Sequence, residues 1–276
     1  MGSLAIIAVK EFRDGWRNRW VVATTLLLAA LALTLAFLGS APTGAVKVSP
    51  LTVTVVSLSS LTIFLIPLIA LLLSHDAIVG EIDRGTMALL LTYPVARWQV
   101  ILGKFIGHLA ILAAATTMGY GGAGLALELA GGNFDAEAWR PFAAMIASSV
   151  LLGAVFVAIG YLVSASVAHR GTAGGVAIGI WLLFVLIYDM ALLGILVADQ
   201  GRILTAERLN WVLLLNPADV YRLLNLTGFA NVSVFAGMAG VSAEAQLGPK
   251  LLAAALAAWA AVPLGLATAV FSRRQL

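Results

Sequence analysis

The sequence predicts an all-α integral membrane protein in which six transmembrane helices form a single domain over residues 1 to 276. Hydrophobic residues make up 62% of the chain and the mean hydropathy is +1.03, which is more apolar surface than one soluble core of this length can bury. A helix needs about 20 apolar residues to cross a bilayer. Six stretches qualify, at approximately residues 20 to 39, 54 to 74, 100 to 128, 142 to 164, 173 to 198 and 250 to 271.

The distribution of charge predicts that both termini are cytoplasmic. With the N-terminus inside, the inner segments hold ten lysines and arginines against five acids, and the outer segments hold six against eight. Cytoplasmic segments of membrane proteins carry the basic excess. The bases are dispersed along the chain, so the basic pI near 9.4 reflects topology and does not indicate nucleic-acid binding.

An interfacial helix is predicted at residues 1 to 19. The stretch AIIAVKEFRDGWRNRW at residues 5 to 20 separates an apolar face from a charged one at helical spacing. The apolar face consists of Val9, Phe12, Trp16 and Trp20, and the charged face of Lys10, Arg13, Asp14 and Arg17. Such a helix anchors the chain in the headgroup region, or leans on its own bundle and transmits movement.

The segment at residues 75 to 99 lies between the second and third transmembrane helices. It contains VGEIDRGTMALLLTYPVARW, in which Gly85 is expected to break the helix. Thr86 is predicted to cap a short helix, MALLLTY, and Pro94 to start the third long helix. This pattern predicts a short helix lying across the membrane axis.

A third feature is the outer segment at residues 199 to 249, too long for a minimal connection. Within NPADVYRLLNLTG, Asn216 is predicted to cap a helix, Pro217 to begin it, Asp219 to lie in its first turn and Gly228 to end it. Its apolar face is predicted to contain Val220, Leu223, Leu224 and Thr227. The helices of this segment either cap the bundle or offer a docking surface to an outer partner.

Two further groups of residues have open interpretations. Asp189 in the fifth long helix and Glu128 at the outer end of the third are costly in a membrane. Each either reaches outer-side water or a neighbouring hydroxyl, or lines an outward cavity and contacts cargo. Gly171, Gly175 and Gly179 recur at intervals of four, which permits close helix approach within one subunit or across a dimer.

The chain lacks recognisable catalytic or cofactor motifs. Glycines at G-x-x-x-x-G spacing are followed by threonine where a phosphate-binding loop requires lysine, and the Gly-Lys pair is followed by phenylalanine. Histidines are scattered and cysteine is absent, so no metal site is predicted. The residues concerned are Gly80, Gly85, Thr86, Gly103, Lys104, Phe105, His75, His108 and His169. The chain is therefore predicted not to be an enzyme.

Three stretches together resemble the permease subunits of exporter-type ABC transporters. They are KEFRDGWRNRW near the start, GEIDRGTMALLLTYPVARWQVILGKFIGH after the second long helix, and LLLNPADVYRLLNLTG on the outer side. The outer block is similar to that of the permeases that support maturation of the copper-sulfur centre of bacterial nitrous oxide reductase, an enzyme of denitrification. Ile82 lies where the family pattern has a third acid.

The resemblance implies a homodimer in the bacterial inner membrane, bound to two cytoplasmic ATPase subunits that hold the ATP and Mg²⁺. A coupling helix would contact each ATPase through charged and apolar side chains, namely Glu81, Asp83, Arg84, Gly85, Thr86, Met87, Leu89 and Leu90. A periplasmic β-helical copper-handling protein would dock on Trp211, Asn216, Pro217, Asp219 and Arg222. The task of the transporter stays open: it either moves a sulfur species as cargo or acts mechanically on the outer protein.

Two alternatives follow from the sequence. One is an ABC permease for another substrate, such as a lipid or a drug. The other is a secondary transporter or membrane scaffold that works without a motor.

Overall fold

The computed structural model describes residues 2–38, 50–131, 136–199, 206–226 and 247–275, and within these ranges every regular element is helical. Six helical stretches are long and apolar enough to cross a membrane, at Val21–Leu38, Thr54–Asp83, Arg97–Leu129, Trp139–Ser166, Arg170–Asp199 and Pro249–Arg273. The predicted fold class and the six predicted spans are therefore confirmed.

Six helices lie in the described residues up to 131. Their bounds are α1 Ser3–Trp16, α2 Arg19–Leu38, α3 Pro50–Ser74, α4 Val79–Asp83, α5 Thr86–Leu90 and α6 Arg97–Leu129. The third long helix begins at Arg97, and the prediction that Pro94 starts it is wrong. The backbone N–H of Ala96 instead donates to the side chain of Gln99, which closes the first turn of α6.

The second half follows the same pattern of long spans with short connecting helices. Its helices are α7 Ala136–Ser166, α8 Arg170–Leu182, α9 Tyr188–Asp199, α10 Ala206–Leu214, α11 Pro217–Leu226 and α12 Pro249–Arg273. A π-helical turn at Leu183–Ile187 joins α8 to α9, so these three pieces make one span. Sequence periodicity did not predict this interruption, because a π-turn keeps the apolar composition of the surrounding helix.

The core of the bundle lies around α6 and α7. In the apolar 18-residue stretch of each of these two spans 61% and 67% of the residues are buried, against 22% in that of α2, 11% in that of the α8–α9 span and 22% in that of α12. Helices α6 and α7 carry fully buried aromatic side chains, including Tyr120, Phe142 and Phe156. The helices α2, α8, α9 and α12 also carry large exposed apolar side chains, as expected for helices in contact with lipid.

The interfacial helix α1 packs against the start of α6 through glycines. A side chain at Gly107 would come within 2.9 Å of the carbonyl oxygen of Ala8, so only glycine permits this approach. The predicted apolar face of α1 points away from the bundle, with Val9 55% and Trp16 38% exposed. The side chain of Trp20 lies outside the described residues.

The end of α12 is fixed beside the start of α6. The guanidinium of Arg97 donates to the carbonyl oxygens of Phe271 at 3.0 Å, Ser272 at 3.1 Å and Arg274 at 2.6 Å. These carbonyls belong to the end of α12, where a helix leaves C=O groups short of intrahelical partners. The C-terminus and α4–α5 therefore lie at the same end of the bundle, and α10–α11 lie at the other.

Candidate functional site

The chain reverses between α4 and α5 at Gly85, which has φ of +71°. This left-handed conformation is accessible to glycine without the steric cost that a side chain brings. The predicted break is confirmed. Thr86, however, is the first residue of α5 and not its cap, because its hydroxyl donates to the carbonyl oxygen of Glu81 at 3.2 Å.

The base of this segment is fixed to α7 by one hydroxyl. The backbone N–H groups of Ile78 and Val79 both donate to Oγ of Ser164, each at 3.0 Å. Ile78, Val79 and Ser164 are all fully buried. This contact satisfies two N–H groups at the start of α4, which begins without a side-chain cap of its own.

A second set of contacts joins the segment to the start of α8. The guanidinium of Arg170 lies 2.9 Å from the carboxylate of Asp76. The carboxylate of Asp83 accepts a hydrogen bond from the backbone N–H of Arg170 at 3.3 Å, where the helix dipole favours an acid. Both contacts are at the surface, with Arg170 60% exposed, so each contributes less to stability than a buried pair does.

The third contact is a buried ion cluster. The ammonium of Lys104 on α6 lies 2.8 Å from the carboxylate of Glu81 on α4 and 2.8 Å from that of Glu11 on α1. The side chain of Lys104 is 3% exposed. Burial raises the pKa of Glu11 and the Lys104 ammonium lowers it, and the net result is a pKa below the usual value for a glutamate.

A histidine–tyrosine pair extends this cluster to α7. Nε2 of His108 lies 3.8 Å from the carboxylate of Glu11, and Nδ1 of His108 lies 2.9 Å from the hydroxyl of Tyr161. The ring of His108 packs edge-on against that of Tyr161 in the core.

The residues predicted for ATPase contact divide into two groups. Asp83, Arg84, Gly85, Thr86 and Leu89 are exposed and form the apex of the α4–α5 segment, which we define by these five residues. Met87 is fully buried, Leu90 packs partly against the core, and Glu81 is paired with Lys104. The exposed apex offers contacts, whereas Glu81, Met87 and Leu90 hold the segment on the bundle.

At the opposite end, the start of α11 follows the sequence prediction. The backbone N–H of Ala218 donates to Oδ1 of Asn216 at 3.0 Å, so Asn216 caps the helix, and Pro217 is its first residue. Val220, Leu223 and Leu224 face the core as predicted. Thr227 and Gly228 lie outside the described residues.

An arginine joins α11 to the fifth span. The guanidinium of Arg222 lies 2.6 Å from the carboxylate of Asp189 and is also bonded to that of Asp219. Asn216 donates from Nδ2 to Asp219 and to the carbonyl oxygen of Phe184, both at 2.9 Å. Phe184 lies in the π-helical turn, where the changed hydrogen-bond register leaves a carbonyl available to a side chain.

Hydroxyl groups fix α11 more deeply in the bundle. The hydroxyl of Tyr221 lies 3.0 Å from that of Ser149 on α7, and the hydroxyl of Ser148 donates to Oδ1 of Asn225 at 3.0 Å. Tyr221 is fully buried. The helix α11 is thus inserted among α3, α7 and α12, and it does not lie on top of them.

The residues predicted for outer docking are mostly turned inwards. Asn216, Pro217 and Asp219 are buried, and the side chain of Arg222 is 17% exposed. Trp211 on α10 is 69% exposed and is the member of the group that offers a free surface.

Burial raises the pKa of Asp219 to about 7, although Arg222 opposes this shift. The two carboxylates of Asp189 and Asp219 share one guanidinium, so the cluster is neutral when it holds one extra proton. The two residues predicted to line a cavity are separated, since Asp189 is in this cluster and Glu128 is exposed at the end of α6.

The glycine stripe of α8 lies on an open face. A methyl group added at Gly171, Gly175 or Gly179 would meet no described atom within 4 Å. Within the described part of the chain the stripe therefore makes no close helix approach, and contact with a second copy stays a prediction.

Sequence reasoning missed the partners of both clusters. Lys104 lies 93 residues from Glu11, and Arg222 lies 33 residues from Asp189, so no local spacing links them. One available signal was the cost of placing a lysine one turn into an apolar helix, which favours an internal acid.

Comparison with known proteins agrees with this architecture. Residues 5–276 match the family described as ABC-2 family transporter protein. The chain belongs to this family. It is also 47% identical over 270 residues to the "Probable ABC transporter permease protein NosY" of Stutzerimonas stutzeri, a match that covers 97% of each chain.

A second relative is the protein of the same description from Pseudomonas aeruginosa (strain PAO1). It is 46% identical over 271 residues, and the match covers 98% of each chain. The protein is thus a permease subunit of an ABC transporter, as the sequence resemblance predicted. Membership of this class implies ATPase partners, and the six apolar helices make it a multi-pass membrane protein.

Proposed function

We propose that this permease serves an ABC transporter that supports assembly of the copper-sulfur centre of nitrous oxide reductase. Likeness to two NosY permeases over nearly the whole chain supports this assignment. The α4–α5 end faces the cytoplasm with both termini, and the α10–α11 end faces the periplasm. Two ATPase subunits hold ATP and Mg²⁺, and this chain supplies the path by which their movement reaches the membrane.

The α4–α5 segment carries the proposal. Its apex is exposed at Asp83, Arg84 and Leu89, while its base is bonded to α7 through Ser164 and to α6 through Lys104. A protein without its own motor needs an element that a partner grips and that is stiffly joined to the spans. This segment has both properties, and we assign it as the coupling helix.

The opposite end supplies a surface for the periplasmic β-helical partner. Trp211 is 69% and Leu215 is 62% exposed, and large exposed apolar side chains are typical of docking sites. Asp219 and Arg222 act behind this surface by fixing α11 to the fifth span. The open glycine face of α8 supports contact with a second copy of the chain.

The test is a charge placed on the apex. Leu89 is 67% exposed, and Leu89→Glu introduces an acid where an apolar side chain would enter a groove on the ATPase. We expect recovery of the ATPase with the purified permease to fall by about tenfold or more, as for an interface hot spot. The reductase from the same cells should lack its copper-sulfur centre.

The matched control is Gln275→Glu, which adds the same charge at another exposed position at the same end of the bundle. This variant should keep the bound ATPase. Unchanged ATPase recovery with Leu89→Glu would contradict the coupling assignment. Loss of the ATPase with normal reductase maturation would instead assign the transporter to another substrate.

A further inference from the structure

The buried cluster around Lys104 joins two parts of the chain that are separate in sequence. Its ammonium contacts the carboxylates of Glu11 and Glu81 at 2.8 Å each, across sequence separations of 93 and 23 residues. Glu11 belongs to α1 and Glu81 to α4. One side chain of α6 therefore bonds the N-terminal helix and the coupling helix at the same time.

Because the cluster is buried, it resists separation of its members. Lys104 is 3% exposed, Glu11 11% and Glu81 15%, so water does not replace a partner that is withdrawn. Breaking a buried ion pair by removing one member is far more costly than breaking an exposed one. Separation of α1 from α4 would leave a carboxylate or the ammonium without its partner in the interior.

Backbone packing holds α1 in the same position. A side chain at Gly103 would come within 3.0 Å of the carbonyl oxygen of Leu4, and one at Gly107 within 2.9 Å of that of Ala8. These glycines flank Lys104 on α6, so the closest backbone approach and the ion cluster coincide. The junction thus combines close packing with charge.

We propose that Lys104 is a positioning residue that fixes α1 to the α4–α5 segment, so that both move as one body when an ATPase displaces the apex. This inference rests on the proposed coupling role of that segment. It assigns α1 an active part in transmission, beyond anchoring the chain at the membrane surface.

The consequence reaches the first span. Helix α1 ends at Trp16 and α2 begins at Arg19, so a displacement of α1 is delivered directly to α2. In that span 22% of the residues are buried, and within the described chain it packs chiefly against α6. A pull on the apex is therefore transmitted to the first transmembrane helix.

Amide hydrogen exchange of the complete complex of permease and ATPase tests this inference. The probe is a non-hydrolysable ATP analogue, and the readout is the change in exchange that it produces at residues 79–90 and at residues 3–16. In the unmodified complex we expect both segments to respond together. In Glu11→Gln the response of residues 3–16 should fall by about fivefold or more, while residues 79–90 still respond.

Two further variants make the result decisive. Glu81→Gln removes the carboxylate on α4 and leaves the one on α1 in place. It should therefore also reduce the response of residues 3–16 relative to that of residues 79–90. This variant covers the case in which Glu11→Gln loosens α1 before nucleotide is added. Lys10→Gln is the control, because Lys10 also contacts Glu11, at 3.2 Å, but is 59% exposed. It should leave both responses unchanged.

The outcomes distinguish this inference from the coupling role. Absence of a response at both segments of the unmodified complex would overturn the coupling role. A response confined to residues 79–90 would overturn the junction alone. Retention of both responses in Glu11→Gln and Glu81→Gln would also overturn it.

Discussion

The two ends of the bundle use the same charge arrangement for different purposes. At one end Lys104 lies between Glu11 and Glu81, and at the other Arg222 lies between Asp189 and Asp219. Each cluster ties a short helix to a transmembrane span through one cation and two carboxylates. The difference lies in what stays exposed.

At the α4–α5 end the cluster fixes the base of a segment whose apex stays in solvent. At the α10–α11 end it draws the helix itself inwards, so that Asn216, Pro217 and Asp219 are buried. The first arrangement leaves an exposed surface that a partner can bind. The second buries α11, and the exposed Trp211 is on the preceding helix α10. A cluster of charges near a membrane surface is thus no guide to docking until its burial is known.

The largest expected effect comes from removing either cation. Lys104→Met and Arg222→Met each leave two carboxylates without their shared buried cation, which should lower the free energy of unfolding by about 3–5 kcal/mol. The measurement is thermal unfolding in detergent, monitored by the loss of the folded peak in size-exclusion chromatography.

Arg140→Met is the control, because Arg140 is exposed at the start of the fourth span. Adding Asp189→Asn and Asp219→Asn to Arg222→Met should restore most of the lost stability. If Arg222→Met unfolds at the temperature of the unmodified protein, the buried cluster does not hold α11.

The two clusters should respond in opposite ways to acid. The pKa of Asp219 is raised to about 7, so between pH 7 and about 4 the folded state binds a proton that the unfolded state does not, and stability rises as pH falls. The pKa of Glu11 is lowered, so its contribution is present above its ordinary pKa and is lost only as pH falls below it.

Exchange protection of residues 217–226 should therefore increase on acidification from pH 7 to 5, by at most about 1.4 kcal/mol per pH unit for one proton. Protection of residues 3–16 should stay constant over this range. Asp219→Asn should abolish the increase. A parallel response of the two segments would show that the clusters do not titrate differently.

The smallest effect concerns the turn at the apex. Gly85→Ala puts a methyl group on a residue with φ of +71°, which should cost about 1 kcal/mol and tilt α5 relative to α4. Gly85→Asn should be better tolerated, since asparagine adopts this conformation more readily. Proteolysis at residues 83–90 measures the difference, and equal cleavage of the two variants would argue against a strained turn.

Hydropathy and local turn chemistry were enough to predict much of this fold. The six spans follow from apolar length, the break at Gly85 from glycine, and the start of α11 from the Asn-Pro pair with its nearby acid. These features depend on residues that are close together in the sequence, so they can be predicted from one sequence alone.

The candidate site was less accessible to prediction. Glu81 and Met87 resemble surface residues of a charged segment, yet one pairs with Lys104 and the other is fully buried. Arg222 suggested a free docking charge until its partner on another helix was known. Pairing across elements depends on how the helices pack, and spacing along the chain does not report it.

The π-helical turn at Leu183–Ile187 sets the direction in which the outer half of the fifth span faces. Such a turn holds one residue more than an α-helical turn, and each residue of an α-helix turns the chain by about 100°. Everything beyond it is rotated by that angle relative to an unbroken helix. Tyr188 and Asp189 thereby face Val212 and Arg222, and a single extra residue decides whether the carboxylate of Asp189 points towards protein or towards lipid.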